Sequence, residues 1–205
     1  MAETYRFALV GNPNVGKSSL FNALTGLHQH TGNWPGKTVA TAAGTCSIDG
    51  AAVELIDLPG TYSLSARSPE EEVAAEYISF GCADAVIVVC DATALERNLY
   101  LALQVMEITD HVVICVNLMD EAGKRGITVD IPRLSQLLGV RVVGTSARQK
   151  KTLPPLLRAA VAAAQERHRK PVPVRYGEAI EAGLFSIEAR LDELLPGSIP
   201  NHRWI

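Results

Sequence analysis

The segment Gly11-Asn12-Pro13-Asn14-Val15-Gly16-Lys17-Ser18 constrains this chain more than any other: it spells G-x-x-x-x-G-K-S. It follows the β-prone run Phe7–Val10 and opens the helical pattern Lys17–Leu24. A strand, a glycine loop and a helix in that order form a cradle for phosphate. Successive backbone N–H groups curl around the anion, and the helix N-terminus adds its dipole. Lys17 supplies a point charge to β- and γ-phosphates, and Ser18 offers a hydroxyl to Mg²⁺. Asn12, Pro13, Asn14, Val15 and Ser19 are expected around the same nucleotide.

The rest of the chain repeats that alternation. Val53–Ile56, Ala85–Cys90, Val112–Val116 and Val140–Val143 are short apolar runs ending in Asp57, Asp91, Asn117 and Gly144. Runs without polar alternation read as parallel strands buried on both faces, with binding loops at their carboxyl ends. Helical segments fall between them, at Arg97–Thr109 and Leu153–Arg169 among others. Ser68-Pro69-Glu70-Glu71-Glu72 is a helix start, with a capping serine, proline at the first position and acids against the dipole. Thr38–Ser47 is β-prone, and Asp49-Gly50 turns it into the Val53 strand as a hairpin. The predicted fold class is α/β: a doubly wound, mostly parallel sheet of six strands with one antiparallel member.

Two further motifs define a nucleotide site. Asp57-Leu58-Pro59-Gly60 closes the second parallel strand: its carboxylate suits Mg²⁺ held through water, and Gly60 can present an N–H to the γ-phosphate. Asn117-Leu118-Met119-Asp120 closes a later strand. An ionised Asp120 accepts from two adjacent donors, which guanine provides at N1 and N2 and adenine does not. Ser146-Ala147, after the Val140 strand, fits a loop whose backbone N–H reads guanine O6.

Composition removes other classes. With 19 Lys and Arg against 22 Asp and Glu, the chain carries a net charge of −3, which argues against non-specific binding to nucleic acid or anionic lipid. The four cysteines, Cys46, Cys82, Cys90 and Cys115, form no C-x-x-C pair and read as free thiols in a reducing compartment. No apolar run approaches the roughly 20 residues that span a bilayer, so direct membrane insertion by this segment is not expected. Beyond Pro171-Val172-Pro173, Ile180, Leu184, Ile187, Leu191 and Leu194 make an apolar stripe that needs a partner, and the sequence closes on Trp204-Ile205. Residues 1–170 are read as a nucleotide-binding domain, and 171–205 as the beginning of a helical one.

Together these motifs resemble the G domain of translation-factor-class GTPases, over about residues 4 to 168. The particular combination is narrower. Gly11-Asn12-Pro13-Asn14, then Asn33-Trp34-Pro35-Gly36-Lys37-Thr38, Asp57-Leu58-Pro59-Gly60-Thr61-Tyr62-Ser63-Leu64 and Asn117-Leu118-Met119-Asp120 are very similar to the N-terminal domain of bacterial ferrous iron transport protein B. The resemblance implies a Ras-like G domain that binds and slowly hydrolyses GTP. It also implies a helical domain resembling a GDP-dissociation inhibitor, then a membrane transporter in the same parent chain, with this segment at the cytoplasmic face of the bacterial inner membrane. It makes Asn33–Thr38 a first switch segment, with Gly36 and Lys37 near the nucleotide and Thr38 on Mg²⁺ in the triphosphate state. The segment from Asp57 becomes the second switch. By the same resemblance Asn14 helps hold an activating K⁺ against the phosphates. Catalytic weight is expected on Asn14, Lys17, Thr38 and Gly60.

Two departures from small GTPases follow. Leu118 stands where a lysine usually braces base and P-loop, which implies weaker nucleotide binding and fast exchange. Thr61 stands where a water-orienting glutamine often sits, which implies slow intrinsic turnover. His28 and His30 are read as a solvated loop rather than an iron site. Two other readings stay open on these residues: a ribosome-assembly or tRNA-modification GTPase, and a non-hydrolysing nucleotide switch. An assembly of several copies of the chain is also compatible with the sequence.

Overall fold

The computed structural model describes residues 3–26, 29–34, 39–81, 83–166, 171–173 and 175–194. Seven strands form one sheet: β1 (Thr4–Gly11), β2 (Gln29–Asn33), β3 (Ala40–Ile48), β4 (Ala51–Asp57), β5 (Ala85–Asp91), β6 (Val112–Asn117) and β7 (Arg141–Gly144), in the order β2-β3-β4-β1-β5-β6-β7. β1 pairs in parallel with β4 and β5, and β6 and β7 continue the parallel side. β3 runs antiparallel to both β4 and β2, so it alone opposes the sheet direction. Asp49 and Gly50 both take positive φ, 50° and 86°, in the turn between β3 and β4. The sheet has one strand more than the sequence suggested. Gln-His-Thr-Gly-Asn carries no apolar alternation, and β2 exists because β3 leaves an edge for it to pair with.

The period-two pattern of each central strand divides the core. Ala8 and Val10 of β1, Val86 and Val88 of β5, and Ile114 and Val116 of β6 face one side. There they meet α2 (Pro69–Phe80) and α3 (Leu95–Ile108) through Ile78, Leu101 and Val105. Phe7 and Leu9, Ile87 and Val89, and Val113 and Cys115 face the other side. They meet α1 (Lys17–Thr25) and α6 (Leu153–Gln165) through Phe21, Leu156 and Ala160. Burial on both faces is why these strands read as continuous apolar runs. Two short helices, α4 (Met119–Lys124) and α5 (Ile131–Leu138), cover the β6–β7 edge.

The chain winds away from β1 in both directions, to β4 on one side and β5 on the other. The carboxyl end of β1 is therefore the topological switch point where a doubly wound sheet opens its crevice. The P-loop leaves β1 at that place. Gly11 is required there by close approach, since a Cβ would stand 2.6 Å from the Val89 carbonyl oxygen.

The helix start at Ser68 forms as expected. Ser68 Oγ accepts from the Glu71 backbone N–H at 3.2 Å, and Pro69 takes the first helical position. Glu71 accepts from Ser63 Oγ and from the Arg67 backbone N–H, both at 3.0 Å, so this acid ties the preceding loop to the helix. A final helix, α7 (Glu178–Leu194), carries the predicted stripe: Leu184 and Leu191 are half-buried, while Ile180, Ile187 and Leu194 are exposed. Ser68→Ala is expected to destabilise the protein by about 1 kcal/mol, the usual cost of a lost N-cap. Urea denaturation measures it, with a lower midpoint at unchanged m-value as the expected result.

Candidate nucleotide site

Between Gly11 and Lys17 the backbone turns twice through the left-handed region, at Asn14 (φ 67°) and Gly16 (φ 79°). The loop it makes opens on a pocket of about 570 Å³ lined by Asn12, Pro13, Asn14, Gly16, Lys17, Ser18, Ser19 and Gly60. Of the residues expected around the nucleotide, Asn12 to Asn14, Gly16 to Ser19 and Gly60 are thus together, while Gly11 and Val15 do not line the pocket and Val15 is buried in the core. Gly36, Lys37 and Thr38, with Pro35 and His28, lie outside the described residues. The residues flanking that stretch are joined: the Trp34 N–H donates to the Val39 carbonyl at 2.8 Å. Trp34 also meets Tyr77 of α2 edge-on, with ring centroids 5.5 Å apart. His30 is exposed on β2, and among the described residues no three His, Cys, Asp or Glu side chains gather as a metal site.

Lys17 is 8% exposed, and its ammonium donates to Asp57 Oδ1 and to the Leu58 carbonyl, each at 2.5 Å. The phosphate lysine and the magnesium carboxylate of the sequence reading are here partners of one another. Burial pushes the Asp57 carboxyl above its ordinary range, and the Lys17 ammonium pulls against that shift. Charges of this kind leave water only when paired. Leu58 N–H donates to the Leu9 carbonyl and Thr61 N–H to the Gly11 carbonyl, so the segment after β4 starts pinned to β1 and the P-loop. The donor set suits Mg²⁺, a hard cation that takes oxygen ligands: the Ser18 hydroxyl is in the pocket, and the Asp57 carboxylate is one Lys17 ammonium away.

The base side is assembled by β6 and β7. Asn117 is fully buried; its amide donates to the Val15 carbonyl at 3.1 Å, binding the end of β6 to the P-loop. Its Oδ1 accepts from the Thr145 hydroxyl at 3.2 Å. Thr145 Oγ1 lies 3.1 Å from Cys115 Sγ. Because the threonine proton is committed to Asn117, the thiol is the donor in that contact, and burial pushes Cys115 up to about 12, keeping it protonated. A one-way chain of donors therefore runs from Cys115 through Thr145 and Asn117 to the P-loop. Thr145 was missed by the sequence reading, which began that loop one residue later. The polar residue directly after an apolar strand was the available signal.

Ser146 Oγ accepts from the Asp120 backbone N–H at 3.1 Å, so the loops after β6 and β7 also meet. Ala147 follows in the same loop. Leu118 takes φ 60°, and its Cδ2 is 3.6 Å from where a Cβ on Gly16 would stand. It keeps the alkyl packing of the usual lysine against the P-loop and lacks the ammonium. A side chain at Gly16 would also meet Asn117 Nδ2 at 2.6 Å.

Fold and site together define a Ras-like G domain, the GTP-binding class of P-loop protein. A family model described as ferrous iron transport protein B matches residues 5–160. The chain belongs to the ferrous iron transport protein B family. It is 42% identical over 200 residues to an Fe(2+) transport protein A/Fe(2+) transporter FeoB fusion protein of Porphyromonas gingivalis, covering 95% of this chain and 24% of that protein. It is 39% identical to an Fe(2+) transporter FeoB of Legionella pneumophila, covering 89% of this chain and 25% of the relative. The chain thus spans about a quarter of the length of these curated relatives. A crystal structure of the cytosolic domain of T. maritima FeoB in apo form superposes with a TM-score of 0.92 at 40% identity, covering 98% of this chain and 79% of that one. A GMPPNP form of the same domain gives a TM-score of 0.91, also at 40% identity, covering 98% of this chain and 78% of that one.

Thr145→Val keeps the shape of the side chain and removes the hydroxyl, leaving Asn117 Oδ1 buried without a partner. The expected cost is about 1 to 3 kcal/mol of stability. Affinity for a fluorescent GDP analogue should fall as well, because Asn117 loses its orientation. Denaturation and nucleotide titration of the variant beside the parent check both effects.

Proposed function

We propose that this segment binds GTP, hydrolyses it slowly, and serves as the regulatory domain of a ferrous iron transporter whose membrane portion lies elsewhere in the parent protein. The observation that carries this reading is the pairing of Lys17, which lines the phosphate pocket, with Asp57. An arriving triphosphate offers Lys17 a stronger anion, so the ammonium turns from Asp57 to the β- and γ-phosphate oxygens. Asp57 and the Ser18 hydroxyl would then hold Mg²⁺, the carboxylate through water. Bound there, the ion would offset negative charge on the β- and γ-phosphates. Thr38 would add its hydroxyl to that shell in the triphosphate state, with Gly36 and Lys37 near the nucleotide. Gly60 turns its N–H to the γ-phosphate. Leu58 and Pro59 follow because they share the backbone of the second switch.

Guanine is read by the Asp120 carboxylate at N1 and N2 and by the Ala147 backbone at O6. Ser146 positions the Asp120 backbone, and Met119 and Leu118 flank the base. The missing ammonium at position 118 leaves the base pocket less braced, which supports fast exchange. Loss of the γ-phosphate releases both switches, and α2 follows the second switch through Glu71 and the first through the Trp34–Tyr77 contact. Residues 171–205 begin a helical domain that receives this movement, which accounts for the unpartnered stripe on α7. The segment works at the cytoplasmic face of the inner membrane.

Asp120→Asn is expected to trade guanine for xanthine, because an amide donates to the C2 carbonyl where the carboxylate accepted from an amine. The loss for GTP should be about 2 to 4 kcal/mol, in the range for a broken charged pair. Competition between GTP and XTP measures it, and unchanged selectivity would show that the base is read elsewhere.

Asn14 sits on the rim of the phosphate pocket with its backbone at positive φ, where its amide oxygen suits K⁺. Such an ion would supply positive charge between the leaving and transferred phosphates, in the manner of an arginine finger. Multiple-turnover phosphate release should therefore run faster in KCl than in NaCl at matched ionic strength. Asn14→Ala should erase that difference while leaving GDP binding nearly intact. No phosphate release by the parent in either salt would reduce the domain to a non-hydrolysing switch.

A further inference from the structure

Asn12 is 4% exposed, and its side-chain oxygen is buried with no hydrogen-bond partner among the described residues. A buried carbonyl left this way is costly, so it calls for a partner in some other state of the protein. The residue lies in a wall shared by two spaces. On one side is the phosphate pocket, where it lines up with Gly60 and Lys17. On the other is a cleft of about 610 Å³ bounded by Tyr62, Ser63, Arg67, Arg97 and Tyr100.

The residue that would ordinarily orient the attacking water has no free group to do so. Thr61 is 3% exposed; its N–H is spent on the Gly11 carbonyl at 3.1 Å and its hydroxyl on the Ser63 carbonyl at 2.7 Å. Lys17 can only donate, and Ser18 and Asn14 are already assigned to cations. A water about to attack the γ-phosphorus needs an acceptor for one of its hydrogens, so that a lone pair points at phosphorus. The Asn12 oxygen is a buried acceptor without a partner among the described residues, and Asn12 lines the phosphate pocket together with Gly60.

We infer that Asn12 orients the nucleophilic water for GTP hydrolysis. The inference rests on the hydrolytic reading given above. In the step, the water oxygen bonds to the γ-phosphorus as the bond from phosphorus to the β–γ bridging oxygen breaks. That electron pair stays on GDP, one water proton passes to a γ-phosphate oxygen, and the other remains on inorganic phosphate. Asn12 takes no proton, since an amide is too weak a base; it accepts a hydrogen bond and fixes the direction of approach. The effect belongs to the chemical step, so ground-state binding should be spared.

The test uses Asn12→Leu, close in volume without the acceptor, and Asn12→Ala. For each, single-turnover hydrolysis with excess protein, GDP affinity, affinity for a non-hydrolysable GTP analogue and the melting temperature of the nucleotide-free protein are measured. The expected result is a rate at least about tenfold lower in both variants, as for loss of a group acting in the chemical step. Both affinities should stay within about threefold, and the melting temperature should be unchanged or higher, since an orphaned polar group has been removed. A rate within twofold of the parent in either variant overturns the inference. So does a rate that falls only in step with analogue affinity, or a melting temperature that drops in both variants, which would make Asn12 structural. If the parent binds GTP and releases no phosphate, the hydrolytic reading itself fails, an outcome visible before any variant is made.

Discussion

A lysine ammonium held out of water must have an anion beside it, and much of this structure is arranged to supply one. Lys17 is buried at the first turn of α1, and Asp57 is delivered to it by the sheet. The parallel register of β1 and β4 sets Leu9 opposite Asp57, and the next residue, Leu58, is held to the Leu9 carbonyl. A slip of one residue in that pairing would turn Asp57 to the other face of the sheet. The apolar residues Phe7, Leu9, Val53 and Leu55, all buried on one face, forbid the slip. Core packing and site electrostatics are therefore one constraint read at two levels.

The pair is suited to exchange because it is not a strong stabiliser. Removing two charges from water consumes most of what their attraction returns. Burial raises the Asp57 carboxyl even with Lys17 in contact, which shows desolvation winning at that site. A phosphate can then compete for the ammonium without dismantling the core, since the neighbouring contacts Leu58 to Leu9 and Thr61 to Gly11 are backbone bonds independent of the pair.

Features governed by local pattern were legible in the sequence. The double-faced strands showed as unbroken apolar runs, the start of α2 as Ser68-Pro69 with acids, and the hairpin as Asp49-Gly50. The P-loop, Asp57 to Gly60, and Asn117 to Asp120 were found because spacing on successive parallel strands brings them to one edge. Features that depend on a distant partner were not legible. β2 has no pattern of its own and exists by pairing with β3. The bond between Lys17 and Asp57 joins residues whose individual roles point to separate ligands. Thr145 matters through Asn117, a contact across 28 positions. Asn12 was legible as a P-loop residue, but the want of a partner for its side-chain oxygen is recorded by no sequence pattern.

The absence of lysine at position 118 acquires a different meaning once the donor chain is visible. In the sequence it removes a brace between base and phosphate loops. In the structure those loops are braced from beneath, by Cys115, Thr145 and Asn117 bonding in series to the Val15 carbonyl. Leu118 adds apolar contact against Gly16 from the same side. The P-loop is thereby fixed to β6 without any group that a nucleotide must supply. What Leu118 removes is the ammonium that would otherwise reach from the base loop, so the cost falls on the bound complex and not on the shape of the pocket. On the reading proposed above, a P-loop already fixed to β6 and a lightly held base let nucleotide come and go with little rearrangement of that loop, which suits a switch whose state follows the nucleotide supply.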